Sequence, residues 1–247
     1  MDIPAGFDGI TLQGAGMGLD PTLATIIDGE AGFLETGVFI HASDVTVQGF
    51  TFINFWDEGL RTDDQCFNVE FRDCWILACD SGVDTDGSCG FWDEADPENF
   101  NDMVRFRNCI FARGGDDGTD IEDDNMFVFI NCDFYDYDSD IADNEDNSIV
   151  LYRNCIIHAG EHSDDFDAGS GWIESRNCVF YDPPGPGGIQ IAGVVDDVDS
   201  IDIDDTDPLY VNVGPHVAVE DLDFHLNAGS EALTVGKDES GNPTFAG

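Results

Sequence analysis

Short runs in which apolar and polar residues alternate recur along the chain, each bounded by Gly, Asp or Asn. Five of them superimpose: VEFRDCWI (69–76), VRFRNCIF (104–111), VFINCDF (128–134), LYRNCII (151–157) and IESRNCVF (173–180). Their cysteines, Cys74, Cys109, Cys132, Cys155 and Cys178, stand 35, 23, 23 and 23 residues apart, and VTVQGFTF (45–52) fits the same frame with Phe50 in the cysteine position. The longer step reads as one period plus an insertion, placed at 87–102. Alternation with period two predicts strands, and stripes of helical period are absent. A repeat of 23 residues is too short for two helices and a turn, and no leucine frame accompanies it. What remains is a solenoid coil of three short strands, each pairing in parallel with its equivalent one coil on, about 4.8 Å away.

With this frame in place, the chain resembles the right-handed parallel β-helix proteins of the pectate-lyase-like superfamily. The segments PAGFDGITLQGAG (4–16), TIIDG (25–29), DPLYVN (207–212) and DFHLNAGSEAL (223–233) look like the opening coil and closing segment of that class. The expected fold is therefore all-β: a single-domain right-handed parallel β-helix over residues 1–247, with coils of about 23 residues. Residues 87–102 form its loop insertion, and 194–247 an acidic loop plus the closing segment. The resemblance also implies an asparagine ladder at the turn between the second and third strands, and Asn108, Asn131, Asn154 and Asn177, with Asp73 at the end of the row, occupy that position.

Composition adds one large fact. Against 8 Lys+Arg stand 53 Asp+Glu, a formal charge of -45, while 42% of residues are hydrophobic. The chain can bury a core, so the acidity is not that of a disordered tail. No basic stretch exists to neutralise phosphates, which argues against nucleic acid as a partner. No apolar run is long enough to span a bilayer, and the first residues carry no charged-then-apolar leader, so membrane insertion is not expected. The acids divide into 40 Asp and 13 Glu. Short Asp side chains suit turns and supply oxygen to hard cations such as Ca²⁺. A halophilic source, which the single lysine Lys237 would also fit, stays open beside calcium loading.

The cysteines in register read as an internal stack of small soft side chains; ligands one coil apart form a line rather than a zinc tetrahedron. Cys66, Cys79 and Cys89 fall outside the stack, and a Cys79–Cys89 bridge closing the insertion is a further possibility for an exported protein.

The candidate chemistry sits after the third strand of each coil, in EGLRTDD (58–64), SGVDTDG (81–87), DGTDIEDD (117–124), DIADNED (140–146) and DDFDAGS (164–170). Alternation turns Leu60, Val83, Thr119, Ile141 and Phe166 inward. Arg61, Asp84, Asp120, Ala142 and Asp167 then form one outward column, and Asp63, Asp86, Glu122 and Asn144 the next. Two unit charges about 4.8 Å apart repel by roughly 1 kcal/mol in water and about 3 to 4 at an effective dielectric of 20. Asp84, Asp86, Asp120 and Glu122 therefore need bound Ca²⁺, shared protons, or side chains splayed into solvent. Asp202 and Asp204 in VVDDVDSIDIDDTDPLY (194–210) form a second cation-binding candidate, or an acidic linker.

For polyuronate lyases of the resembling class, the resemblance implies Ca²⁺ bridging the substrate carboxylate and an Arg or Lys base. Arg61 is the candidate base, or alternatively one half of a surface ion pair with Asp84, while Arg113 stands at the rim of the groove. His158 and His162, assigned to the turn leading into 164–167, are an alternative acid/base or metal set. Trp56 and Trp92 are candidate sugar-stacking residues. The expectation is an extracellular, monomeric, calcium-dependent enzyme acting on a polysaccharide, most directly a uronan lyase working by β-elimination, with its export signal outside this sequence. The alternative is a non-catalytic calcium-binding solenoid that serves as a surface, adhesion or carbohydrate-binding module.

Overall fold

The computed structural model describes residues 1–30, 34–63, 66–86, 103–121, 124–144, 147–158, 166–167, 169–181, 191–192, 195–198, 201–203, 210–212 and 223–226. The chain is a parallel β-helix with coils about 23 residues apart. The first wall runs through β1 (Asp2–Ile3), β4 (Val38–Ile40), β7 (Glu58–Asp63) and β10 (Ser81–Asp86). It continues through β13 (Asp120–Ile121), β16 (Ala142–Asn144), β19 (Phe166–Asp167) and β22 (Ile191–Ala192). A bridge between Val83 and Thr119 joins the two halves.

The second wall contains β2 (Thr11–Gln13), β5 (Thr46–Gln48), β8 (Glu70–Arg72), β11 (Val104–Arg107), β14 (Met126–Ile130), β17 (Ile149–Arg153), β20 (Trp172–Arg176) and β23 (Val195–Val198). The third contains β3 (Thr25–Asp28), β6 (Phe50–Ile53), β9 (Trp75–Leu77), β12 (Ile110–Ala112), β15 (Asp133–Tyr135), β18 (Ile156–His158), β21 (Val179–Tyr181) and β24 (Ile201–Ile203). β25 (Tyr210–Asn212) and β26 (Asp223–Leu226) pair antiparallel. The insertion at 87–102 lies outside the described residues.

Like stacks on like inside the coil. Phe71, Phe106, Phe129 and Tyr152 form a pile on the second wall with ring centroids 4.9, 4.6 and 5.2 Å apart, and Phe111 lies 4.8 Å from Phe134 on the third. These separations are the interstrand spacing itself. The five repeat cysteines are buried free thiols. Each donates to the carbonyl two residues earlier, as Cys109 does to Arg107 O at 3.4 Å and Cys155 to Arg153 O at 3.5 Å. Cys79 is also a buried free thiol; Cys89 lies outside the described residues. Burial pushes the Cys79 thiol up to about 12.

The corners explain much of the Asp and Asn content. Asp73, Asn108, Asn131, Asn154 and Asn177 all have φ between 49° and 53°, with Gly49 at 74° in the preceding coil. Asn108 Nδ2 donates to Asp73 Oδ1 at 3.1 Å, Asn131 to Asn108 at 3.3 Å, and Asn154 to Asn131 at 3.3 Å. A second corner repeats the device with Asp44, Asn68, Asp124 and Asn147, at φ from 53° to 63°. Asn and Asp tolerate the left-handed region because their short polar arms bond locally.

One register expectation fails. In the first wall Asp120 pairs with Asp143, and Asp143 with Asp167, so Asp143 and not Ala142 continues the outward column. Ala142 and Asn144 are fully buried and point inward. Asn144 Nδ2 donates to Ser148 O at 3.1 Å and Trp172 O at 3.3 Å. Period-two alternation makes a one-residue offset exchange the two faces.

Candidate functional site

The site grows out of three adjacent strands of the first wall. In the register of β4, β7 and β10, Phe39, Arg61 and Asp84 stand side by side, and Asp63 pairs with Asp86. Glu58, which opens β7, is 1% exposed although charged residues are rarely buried without partners. Its partners are supplied locally. Thr36 Oγ1 donates to Oε2 at 2.7 Å, and Arg61 Nη1, three residues along the same strand, donates to Oε1 at 2.5 Å. Arg61 also lies 3.9 Å from Asp84 Oδ2, and its guanidinium stands 5.3 Å from the centre of the Phe39 ring.

Asp84 is the perturbed group. Burial, a hydrogen bond to Glu58 and the charge of Asp120 together push its carboxyl from the ordinary 3.8 up to about 8. The protonated acid bonds a neighbouring carboxylate, which is how two adjacent carboxyls avoid carrying two charges.

Beside this pair lies a second acid row on the turn that precedes the wall. Burial and neighbouring acids raise Asp57, with Glu58 as the leading neighbour, and Asp80, with Asp116 and Asp138. Burial raises Asp117, which accepts from Asp140 N at 2.9 Å. At the near end of the wall, His41 Nδ1 meets Asp63 Oδ2 at 2.5 Å and Nε2 meets Asp2 Oδ1 at 3.3 Å.

The candidates named from sequence scatter unevenly. Arg61 lies 3.9 Å from Asp84, and Asp120 acts on Asp84 from the next coil. Trp56, 53% exposed, sits two residues before Glu58 on the same turn. Arg113 lies at a separate corner, 3.8 Å from Asp136. His158 is not on a turn: it ends β18 on the third wall and packs on Tyr135, ring centroids 4.5 Å apart. Asp167 follows Asp143 in backbone register, Asp86 follows Asp63, and Asp202 is in β24 on the third wall. The side chains of Asp86, Asp167 and Asp202 lie outside the described residues, as do Glu122, Trp92, His162 and Asp204 altogether.

Among the described residues no three His, Cys, Asp or Glu side chains converge to hold a metal ion. Glu58 was missed from the sequence. Its i,i+3 spacing to Arg61 was the available signal, but the inward turn of a residue at the strand's first position was not legible. No helix among the described residues is long and apolar enough to cross a membrane. No protein-family model, curated protein or solved structure matches the chain.

Proposed function

We propose that this protein is an extracellular polysaccharide-acting enzyme of the pectate-lyase-like β-helix class, working through the carboxyl pair Glu58–Asp84. The observation that carries the reading is Asp84: a carboxyl pushed up to about 8, with a side chain 21% exposed, on the outer face of the coil. A carboxyl kept protonated near neutral pH is a proton donor for a leaving glycosidic oxygen. Glu58 and Arg61 are positioning residues that hold this proton on Asp84. Asp120, on the next coil and near enough for its charge to raise Asp84, is the second carboxylate of such a pair. Trp56 offers an exposed ring on which a sugar stacks.

Arg61 is tied to Glu58 and is not free to act as a base, which weighs against the elimination that the resemblance implied. Among the described residues no three His, Cys, Asp or Glu side chains gather around Asp84. The test is a screen of neutral and acidic polysaccharides that reads new reducing ends together with the ultraviolet absorbance of unsaturated uronates. Reducing ends without unsaturation, lost in Asp84→Asn, are expected. Unsaturated products that survive Asp84→Asn would return the protein to the lyase reading. Binding without any cleavage would make it a carbohydrate-binding module.

A further inference from the structure

On the second wall, away from the carboxyl pair, three guanidiniums gather on one carboxylate. Glu70, 3% exposed, pairs with Arg72 Nη2 at 2.5 Å, Arg107 Nε at 2.9 Å and Arg105 Nη2 at 3.7 Å. The strand register explains the convergence: Glu70 pairs with Arg105, and Arg72 with Arg107, so the four residues fill two adjacent columns of β8 and β11. Arg105 is 10% exposed and is held further by Asn68 Oδ1 at 2.6 Å and Met103 O at 3.3 Å. Arg72 and Arg107 are 47% and 39% exposed, and among the described residues each forms its ion pair with Glu70.

A chain with 53 acidic and 8 basic residues has no shortage of carboxylates to neutralise three arginines singly. It instead sets three cations on one buried anion, with Asp73 beside Arg72 as the further negative charge, leaving a local excess of positive charge whose exposed part is Arg72 and Arg107. The burden is visible at the centre: burial and the charges of Arg107 and Arg72 lower the Arg105 guanidinium, with Glu70 acting against them. An anion placed between Arg72 and Arg107 relieves that repulsion, and the planar fork of arginine matches carboxylate and sulfate oxygens in pairs.

We infer that Arg72 and Arg107 form an anion-binding subsite for an acidic polysaccharide, Arg105 and Glu70 being the buried frame that fixes them. The protein's net charge of -45 repels a polymer as densely charged as nucleic acid. A glycan carries its carboxylates or sulfates one sugar apart and meets the subsite with a few charges at a time. The inference shares with the reading above only the class of ligand. Its residues lie on a different wall from Asp84, so capture and cleavage fail separately.

The experiment is isothermal titration of the full chain at low salt with oligogalacturonate, dextran sulfate, a neutral glucan and single-stranded DNA, repeated with Arg72→Gln/Arg107→Gln. Thermal melts check that the variant folds. Expected are binding to one or both acidic glycans and a loss of about tenfold or more in the double variant, or roughly 1.4 kcal/mol. The two acidic ligands tell carboxylate from sulfate recognition. Unchanged affinity in the double variant, equal binding of the neutral glucan or DNA, or no binding of either acidic glycan would overturn the assignment.

Discussion

Replacing Asp84 by Asn keeps the shape of the side chain and its ability to donate to Glu58, but removes the titration. In the folded protein the Asp84 carboxyl is raised from 3.8 to about 8, so the native state holds a proton that the unfolded chain releases. For a group raised on folding the sign is fixed: its contribution falls as pH rises from about 4 toward about 8, and is constant outside that window. Four units at ~1.4 kcal/mol each would be roughly 6 kcal/mol. Asp84 is partly exposed and shares its proton with Glu58, so screening brings the figure to about 2 kcal/mol. Thermal melts of the wild type and Asp84→Asn, followed by circular dichroism between about pH 5 and pH 9, read the difference directly. The variant is expected to melt higher at the alkaline end, by roughly 4 to 8 °C for a chain of this size, and to converge on the wild type near pH 4. Parallel pH profiles, or a variant less stable at high pH, would refute the shared proton.

Four further outcomes follow from the same geometry. Glu70→Gln leaves three guanidiniums without their carboxylate and is expected to cost about 2 to 3 kcal/mol, read by denaturant unfolding; because its neighbours Arg72, Arg105 and Arg107 outweigh burial and lower the Glu70 carboxyl, this stabilisation is present above the ordinary 4.5 and lost as pH falls through the lower folded value. Asn131→Leu forces a branched chain into φ 53° and breaks two ladder bonds, a loss of about 2 to 3 kcal/mol, whereas Asn131→Gly removes only the bonds and costs less. The buried thiols, Cys79 at about 12 among them, resist alkylation in the native state and react on unfolding; rapid native labelling of the repeat cysteines would contradict their place inside the coil. Chelation with EDTA leaves the Asp84-linked pH dependence in place, and its disappearance on adding Ca²⁺ would identify an ion on the wall in place of the proton.

Much of this protein is legible in its letters, because a solenoid is nearly one-dimensional: each coil touches its neighbours, so a period in sequence is a period in space. The steps between cysteines predict the stacking, and the structure returns it in the ring separations of Phe71, Phe106, Phe129 and Tyr152. The Asn131 row is equally readable, since a left-handed corner admits few residues. The first wall is harder. Its 35-residue step and the one-residue offset at Asp143 decide which acids share a column, and alternation alone placed Ala142 and Asn144 on the wrong face.

Glu58 and Glu70 show where reading the chain ends. Each has an arginine two or three residues further along the chain, a spacing that says nothing of depth. Only the folded coil buries them, setting Glu58 against Thr36, Arg61 and Asp84, and Glu70 against three arginines from two strands. The period, the corners and the stacked core can be read from the chain alone, because they depend on local conformation and nearest-neighbour repetition. Which carboxyl keeps a proton and which cations crowd together was decided by tertiary structure, because the energy of a charge depends on its depth and its partners across the coils.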